Sequence, residues 1–179
     1  MKHDHWLWEA GTIPSNICDE WIARFDSQVT DGGVSTAQDS IDLTLRRSKI
    51  HFVEDKAIQD YMKYFAETAN RNAFGADVSN YIECQFTRYD GDDEGFYEYH
   101  LDLTFEGRKP AFDRKVSLVV LLSDPSEFTG GDLMLMGDRI DLKKGSVVAF
   151  PSFYPHKVTE VTQGTRYSMV SWLEGPRWR

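Results

Sequence analysis

Residues 80–102 read NYIECQFTRYDGDDEGFYEYHLD, and the fold class turns on this stretch. Ile82, Cys84 and Phe86 alternate with Tyr81, Glu83, Gln85, Thr87 and Tyr89. A period of two is that of a strand with one apolar face. The run DGDDEG is turn chemistry, and a second strand is predicted over Tyr97–Phe105. Further strands are predicted at Lys115–Leu122, Asp132–Met136, Ser146–Phe150, His156–Val161 and Tyr167–Leu173. Turn signals at Gly107, Asp124-Pro125, Gly130-Gly131, Lys144-Gly145 and Gln163-Gly164 separate them. So many short strands predict a double-sheet barrel or jelly roll.

Upstream the period changes. A helix is predicted after Pro14 with Ser15 as N-cap, burying Cys18, Ile22, Phe25 and Val29 and ending at Asp31-Gly32-Gly33. A strand reading IDLTLRRSKIHFV (residues 41–53) follows. A second helix is predicted from about Asp55, with Ile58, Tyr61, Phe65 and Ala69 on its apolar face and Gly75 as C-cap. The expectation is an α+β fold: a double-stranded β-helix (a jelly-roll or cupin-like barrel) with N-terminal helices packed on one sheet. At 179 residues the chain is expected to form one domain, 1–179, with helical support over about 14–76 and a catalytic barrel over about 80–173.

Composition narrows the function. The net charge of −9 works against phosphate backbones, so no nucleic-acid partner is expected; Leu45-Arg46-Arg47-Ser48-Lys49 is the one basic strip and reads at least as well as an exposed or ion-paired strand. No apolar run approaches the roughly 18 residues that span a bilayer, and MKHDHWLWEAG is unlike a signal peptide. A cytoplasmic protein without membrane attachment is expected. Cys18 and Cys84 fit buried free thiols.

The chemistry concentrates at His100-Leu101-Asp102. On a strand, residues two apart share a face, so imidazole and carboxylate can bind one ion. His156 would supply the third ligand. Two His and one carboxylate cover one face of an octahedral Fe(II) and leave positions open. Alone, His-x-Asp is a weak pattern, matched equally by an exposed His beside an ion-paired Asp. Arg166, ten residues after His156 on the next predicted strand, changes the balance. An arginine inside a barrel needs an anionic partner. Its planar fork suits a carboxylate, and Ser168 on the same face can donate a further hydrogen bond.

The ordered set His100-x-Asp102, Gly130-Gly131-Asp132-Leu133, residues 145–151 (GSVVAFP), His156-x-Val158 and Gly164-Thr165-Arg166-Tyr167-Ser168 resembles the prolyl 4-hydroxylase-like branch of the Fe(II)/2-oxoglutarate oxygenases, and the bacterial PKHD-type hydroxylases in particular. The likeness is dense from about Gln85 to Trp172. Upstream, Arg47-Ser48 with Phe52 resembles the Arg-Thr/Ser strand of prolyl hydroxylases. The resemblance implies iron held by His100, Asp102 and His156, with Arg166 binding the distal carboxylate of 2-oxoglutarate. It implies that Tyr89 reaches the cosubstrate, and Gln85, on the same strand face, would line that pocket. Trp172 matches an aromatic near the pocket wall, where a core role is expected. One departure stands out: the strand VSLVVLL (residues 116–122) lacks a tyrosine that some relatives carry there.

The activity implied is hydroxylation with Fe(II), 2-oxoglutarate and O2, with ascorbate as a reductant and succinate and CO2 as products. A carbon of a peptide or protein is the expected substrate, prolyl first, with a small amino acid close behind. The alternatives are a nucleic-acid dealkylase of the same chemistry and a non-catalytic cupin-like binding barrel. His3-Asp4-His5 imitates the iron motif, but nothing downstream favours it. Asp31–Ser40 and Asp90–Gly95 are expected to be mobile loops. The acidic residues of the second would favour basic peptides if that loop is a lid and not a solvated turn.

Overall fold

The computed structural model describes residues 7–32, 34–35, 41–103 and 112–178, with side-chain detail absent for 34–35 and 41–42. His3-Asp4-His5, the turn at Gly107 and most of the loop through Ser40 lie outside these residues. In chain order the elements begin β1 (Trp8–Thr12), α1 (Ser15–Phe25), β2 (Thr30–Gly32), β3 (Val34–Ser35), β4 (Ile41–Asp42), β5 (Arg46–Phe52) and α2 (Lys56–Ala69). There follow β6 (Ile82–Asp90), β7 (Phe96–His100), β8 (Phe112–Leu121), β9 (Phe128–Gly130), β10 (Leu133–Leu135) and β11 (Asp138–Ile140). The last three are β12 (Ser146–Pro151), β13 (His156–Val158) and β14 (Val161–Pro176).

Strand pairing follows the order β1-β12-β8-β14-β6-β5-β7-β13-β10-β11, with every ladder antiparallel. The first six form a main sheet. The last four form a second sheet, joined to the first where Arg46 and Arg47 of β5 turn to pair with β7. Val119, Leu121, Val148 and Phe150 of the main sheet pack against Leu133 and Leu135 of the second, so the two sheets enclose a core. On the outer face of the main sheet, Cys18, Trp21, Phe25, Met62 and Phe65 of the helices meet Phe86, Leu118 and Met169. This is the double-stranded β-helix with helices on one sheet that the sequence predicts. The main sheet also takes β1 and β5 from before residue 80.

Several local readings change. Pro14, not Ser15, occupies the N-cap of α1, and no side chain caps it. Its fixed φ sets the first turn without a cap bond. Trp21 joins Cys18 and Phe25 on the buried face, while Ile22 and Val29 are only partly covered. The helix stops at Phe25, because pairing of Thr30–Gly32 with Ser48–Ile50 draws the chain out as an edge strand. The strand predicted over residues 41–53 is broken by a turn at 43–45. Asp55 does cap α2, accepting from the N–H groups of Ala57 (2.9 Å) and Ile58 (3.2 Å). Met62 and Ala66 replace Tyr61 on its buried face. Beyond a π turn at Asn70–Phe74, Gly75 caps the end at φ 63°.

The largest difference is β14. The sequence predicts a break between strands at Gln163-Gly164, yet the sixteen residues of β14 run through it. Gly164 is there for space: a Cβ would lie 2.1 Å from the Glu127 carbonyl oxygen. Its N-terminal end pairs with β9 and the remainder lies between β6 and β8.

Candidate active site

Both faces of β6 are buried, for different reasons. Ile82, Cys84 and Phe86 face the helices, whereas Gln85, Thr87 and Tyr89 face the barrel interior. The same alternation on β14 sends Arg166, Ser168 and Trp172 inward. The interior therefore carries a polar wall where a purely structural sheet would be apolar.

His100 is the last residue of β7, and Asp102 lies beyond the strand in irregular backbone. Strand alternation is therefore not what aligns the pair. Asp102 is placed by its own N–H, which donates to the Ser152 carbonyl (3.0 Å), and by Ser117, whose Oγ donates to Oδ2 at 2.6 Å. Ser152 Oγ stands 2.9 Å from Ser117 Oγ, and both serines are fully buried. His156 opens β13 directly opposite His100. The donor atoms of His100, Asp102 and His156 all lie within 4.8 Å of one another.

The imidazoles are held in one tautomer. Nδ1 of His100 is 2.8 Å from the Glu98 carbonyl oxygen, and Nδ1 of His156 is 3.0 Å from that of Tyr154. A carbonyl only accepts, so each Nδ1 donates and each Nε2 is left with a lone pair. Those Nε2 atoms face the Asp102 carboxylate at 3.6 and 3.4 Å. Burial pushes the His156 pKa down, favouring the neutral ring that a metal requires. Burial pushes the Asp102 carboxyl up, but in acid, where that group titrates, the positive charge of the protonated imidazoles outweighs it and holds the group well below the usual carboxylate range.

His100 is also fixed from the side. The Tyr97 ring stacks on it with centroids 3.5 Å apart and planes at 13°, and the Arg46 guanidinium lies over Tyr97 at 4.6 Å. Residues three apart on a regular strand point to opposite faces. Here three steps along β7 match two along β13, and that bulge brings Tyr97 and His100 together. The Phe150 ring meets His156 edge-on at 4.8 Å.

Arg166 is 1% exposed and pairs across the sheet with Tyr89, whose ring centroid is 5.5 Å from its Cζ. Nη1 donates to Ser168 Oγ at 3.1 Å, while the buried Nε has no partner. Among the described residues no carboxylate lies within ion-pair distance of it. Burial lowers its pKa, but a guanidinium stays charged. Gln85 lines the same wall and donates through Nε2 to Thr87 Oγ1 (2.9 Å). Trp172 is buried beneath Arg114, whose Cζ lies 3.6 Å from the ring centroid.

The structure thus brings the three proposed ligands into one cluster and sets Arg166, Tyr89, Ser168 and Gln85 on one interior wall. Sequence reasoning missed Ser117, Ser152 and Tyr97. No spacing marks the two serines, and a bulge hides Tyr97.

A profile of the 2OG-Fe(II) oxygenase superfamily matches residues 84–174. The chain belongs to this superfamily. A PKHD-type hydroxylase of Shewanella frigidimarina is 34% identical over 96 residues, covering 50% of this chain and 42% of that protein. The match therefore spans less than half the length of that relative. A prolyl-4-hydroxylase of Pseudomonas putida superposes with a TM-score of 0.69 at 20% identity, covering 96% of this chain and 92% of the other. The viral collagen prolyl hydroxylase of Paramecium bursaria Chlorella virus-1 gives 0.70 at 17% identity, covering 94% of each. The fold is thus the one these two prolyl hydroxylases share.

Members of this superfamily use Fe(II), 2-oxoglutarate and O2, and the cluster fits that set. It offers two imidazole nitrogens, one ionised carboxylate and a buried cation that has no carboxylate partner among the described residues. No helix among the described residues is long and apolar enough to cross a membrane.

The acidic loop 90–95 is not a free lid. Arg47 binds Glu94 (2.9 Å) and the Asp93 carbonyl (3.1 Å), and Lys49 binds both Asp90 and Asp93 at 3.1 Å. Two cations of β5 thus pair with three of the four acids expected to attract basic peptides, Asp90, Asp93 and Glu94.

Proposed function

We propose that this chain is an Fe(II)- and 2-oxoglutarate-dependent hydroxylase acting on a carbon of a peptide or protein. A prolyl residue is the first choice and a free amino acid the second. The observation that carries the reading is the His100–Asp102–His156 cluster together with Arg166, a buried cation with no carboxylate partner among the described residues. The prolyl choice is supported by the solved neighbours, which are named as prolyl hydroxylases.

In this reading Nε2 of His100, Nε2 of His156 and the Asp102 carboxylate hold the iron. Bound Fe(II) with 2-oxoglutarate supplies the oxidative chemistry, turning the cosubstrate into succinate and CO2 while one oxygen atom of O2 enters a substrate C–H bond. Arg166 receives the distal carboxylate on its free edge, with Tyr89 and Ser168 beside it. Bringing that carboxylate to a buried guanidinium removes the cost of an unpaired charge. Phe150, packed on His156, keeps water from that side of the ligands. Tyr97 and the two carbonyl contacts hold the rings in their binding orientation. Gln85, turned toward Thr87, lines the same interior wall.

The test is succinate release with Fe(II), 2-oxoglutarate and ascorbate, followed by mass spectrometry of proline-containing peptides for the gain of one oxygen atom. His100→Ala, Asp102→Ala and His156→Ala should each lose metal and turnover. Metal binding without any succinate release across peptide, amino-acid and nucleic-acid substrates would favour a binding barrel instead. Release only with alkylated nucleic acid would favour the dealkylase.

A further inference from the structure

We infer that the cosubstrate pocket accepts 2-oxo diacids longer than 2-oxoglutarate, because Arg166 has room behind it to retreat. The inference rests on the assignment of Arg166 to the distal carboxylate.

A cavity of about 370 Å³, partly open to solvent, lies next to Arg166. Its walls include Leu121, Gly131, Asp132, Arg139 and Lys143, and none of the three metal ligands borders it. Strand register fixes where it lies. Leu135 pairs with His156 at the level of the cluster, and Leu133, which lines the cavity, pairs with Val158 two residues on. Two residues of strand are roughly 7 Å. Arg166 is the residue shared by the polar interior wall and the cavity.

Besides the Tyr89 ring, 5.5 Å from its Cζ, little holds the guanidinium where it is. Its hydrogen bond to Ser168 is 3.1 Å long, Nε is unpartnered, and no carboxylate clamps it among the described residues. The arginine stem lies close against Gly131, at φ +64°, where any Cβ would come within 2.8 Å of Arg166 Cδ. Room for the side chain to move is therefore in the cavity it borders and not at Gly131. Leu121, opposite Ser168 on β8, stands on the strand that carries no tyrosine, so no phenol fills the space. At the rim Asp132 and Arg139 pair with each other (2.9 Å), and Arg139 is well exposed. An added methylene in the diacid would push the guanidinium toward this cavity while keeping its fork on the carboxylate. A pocket closed behind its arginine would instead reject the longer acid.

The experiment titrates 2-oxoglutarate and 2-oxoadipate into the Fe(II)-loaded protein without O2, followed by calorimetry and by the visible charge-transfer absorption of the chelate. Affinities for the two acids should lie within about tenfold, which is about 1.4 kcal/mol. Leu121→Phe fills the cavity and should weaken 2-oxoadipate by a further tenfold or more, leaving 2-oxoglutarate unchanged. Thr129→Tyr, made from the exposed cavity rim, gives the same test should the buried change unfold the protein. Normal 2-oxoglutarate binding with 2-oxoadipate more than tenfold weaker overturns the inference alone. So does an unchanged ratio in the filled variants. Failure of 2-oxoglutarate itself to bind overturns the parent assignment and this inference with it.

Discussion

Replacing Ser117 by alanine removes one oxygen atom from a fully buried site, and the effect on metal binding can be worked from the contacts. Ser117 Oγ donates to Asp102 Oδ2 at 2.6 Å and touches Ser152 Oγ at 2.9 Å. A hydrogen bond to a charged group contributes about 1.5–3 kcal/mol. In the folded protein that energy holds the carboxylate in the orientation that faces both Nε2 atoms. At about 1.4 kcal/mol per decade, its loss corresponds to roughly ten- to a hundredfold in metal affinity. The usual effect of removing a group that orients a ligand is of the same size. Mn(II) or Co(II) titration by calorimetry reads this directly, with the melting temperature as a check on folding. Ser171→Ala is the control: that serine is equally buried but faces Cys84, away from the cluster, and should leave metal affinity alone. A folded Ser117→Ala protein that binds metal within twofold of wild type would refute the idea that this hydroxyl orients Asp102.

Arg166→Ala should weaken 2-oxoglutarate about a hundredfold or more while leaving Mn(II) affinity intact, and Arg166→Lys should recover only part, because lysine lacks the planar fork; unaltered 2-oxoglutarate binding would place the anchor elsewhere. Lys49→Met with Arg47→Met should speed amide hydrogen exchange across residues 91–95 yet cost no more than about 1 kcal/mol of stability, since these pairs are part-exposed; unchanged exchange would mean that the ion pairs do not hold the loop. The depressed pKa of His156 makes metal-free stability fall on acidification. Below the unfolded value of about 6.5 the unfolded chain takes up a proton there that the folded chain refuses, so stability is lost as pH drops toward the folded pKa. Denaturation midpoints at pH 7.5 and 5.5 should therefore differ more for wild type than for His156→Asn; equal losses would show that His156 is not the group responsible.

Much of this architecture is legible in residues 80–158 because local physics and tertiary environment agree there. The alternation of β6 survives because one of its faces meets helices and the other the interior. Asp55 could be read as a cap because capping is a contact between near neighbours. What could not be read depends on distant backbone. Gly164 looks like a turn residue, but it admits the Glu127 carbonyl instead. His100 and Asp102 carry the right spacing for a strand reason that does not apply; Ser117 and Ser152, from other segments, aim the carboxylate. The ion pairs on loop 90–95 span more than forty residues, so neighbouring sequence gives no hint that its acids are already satisfied.

The five residues Trp8–Thr12 shield a vulnerable margin. They pair with Ser146–Ala149 and so cover the outer side of β12. β12 reads SVVAFP, uncharged and rich in β-branched and apolar side chains up to its proline. Unpaired backbone on such a strand is a template for joining other chains. Deleting residues 7–12 should therefore reveal itself first as concentration-dependent self-association, detectable by light scattering, before any loss of metal binding at the far sheet. A deletion variant that remains monomeric at high concentration would show that this margin is guarded by something other than β1.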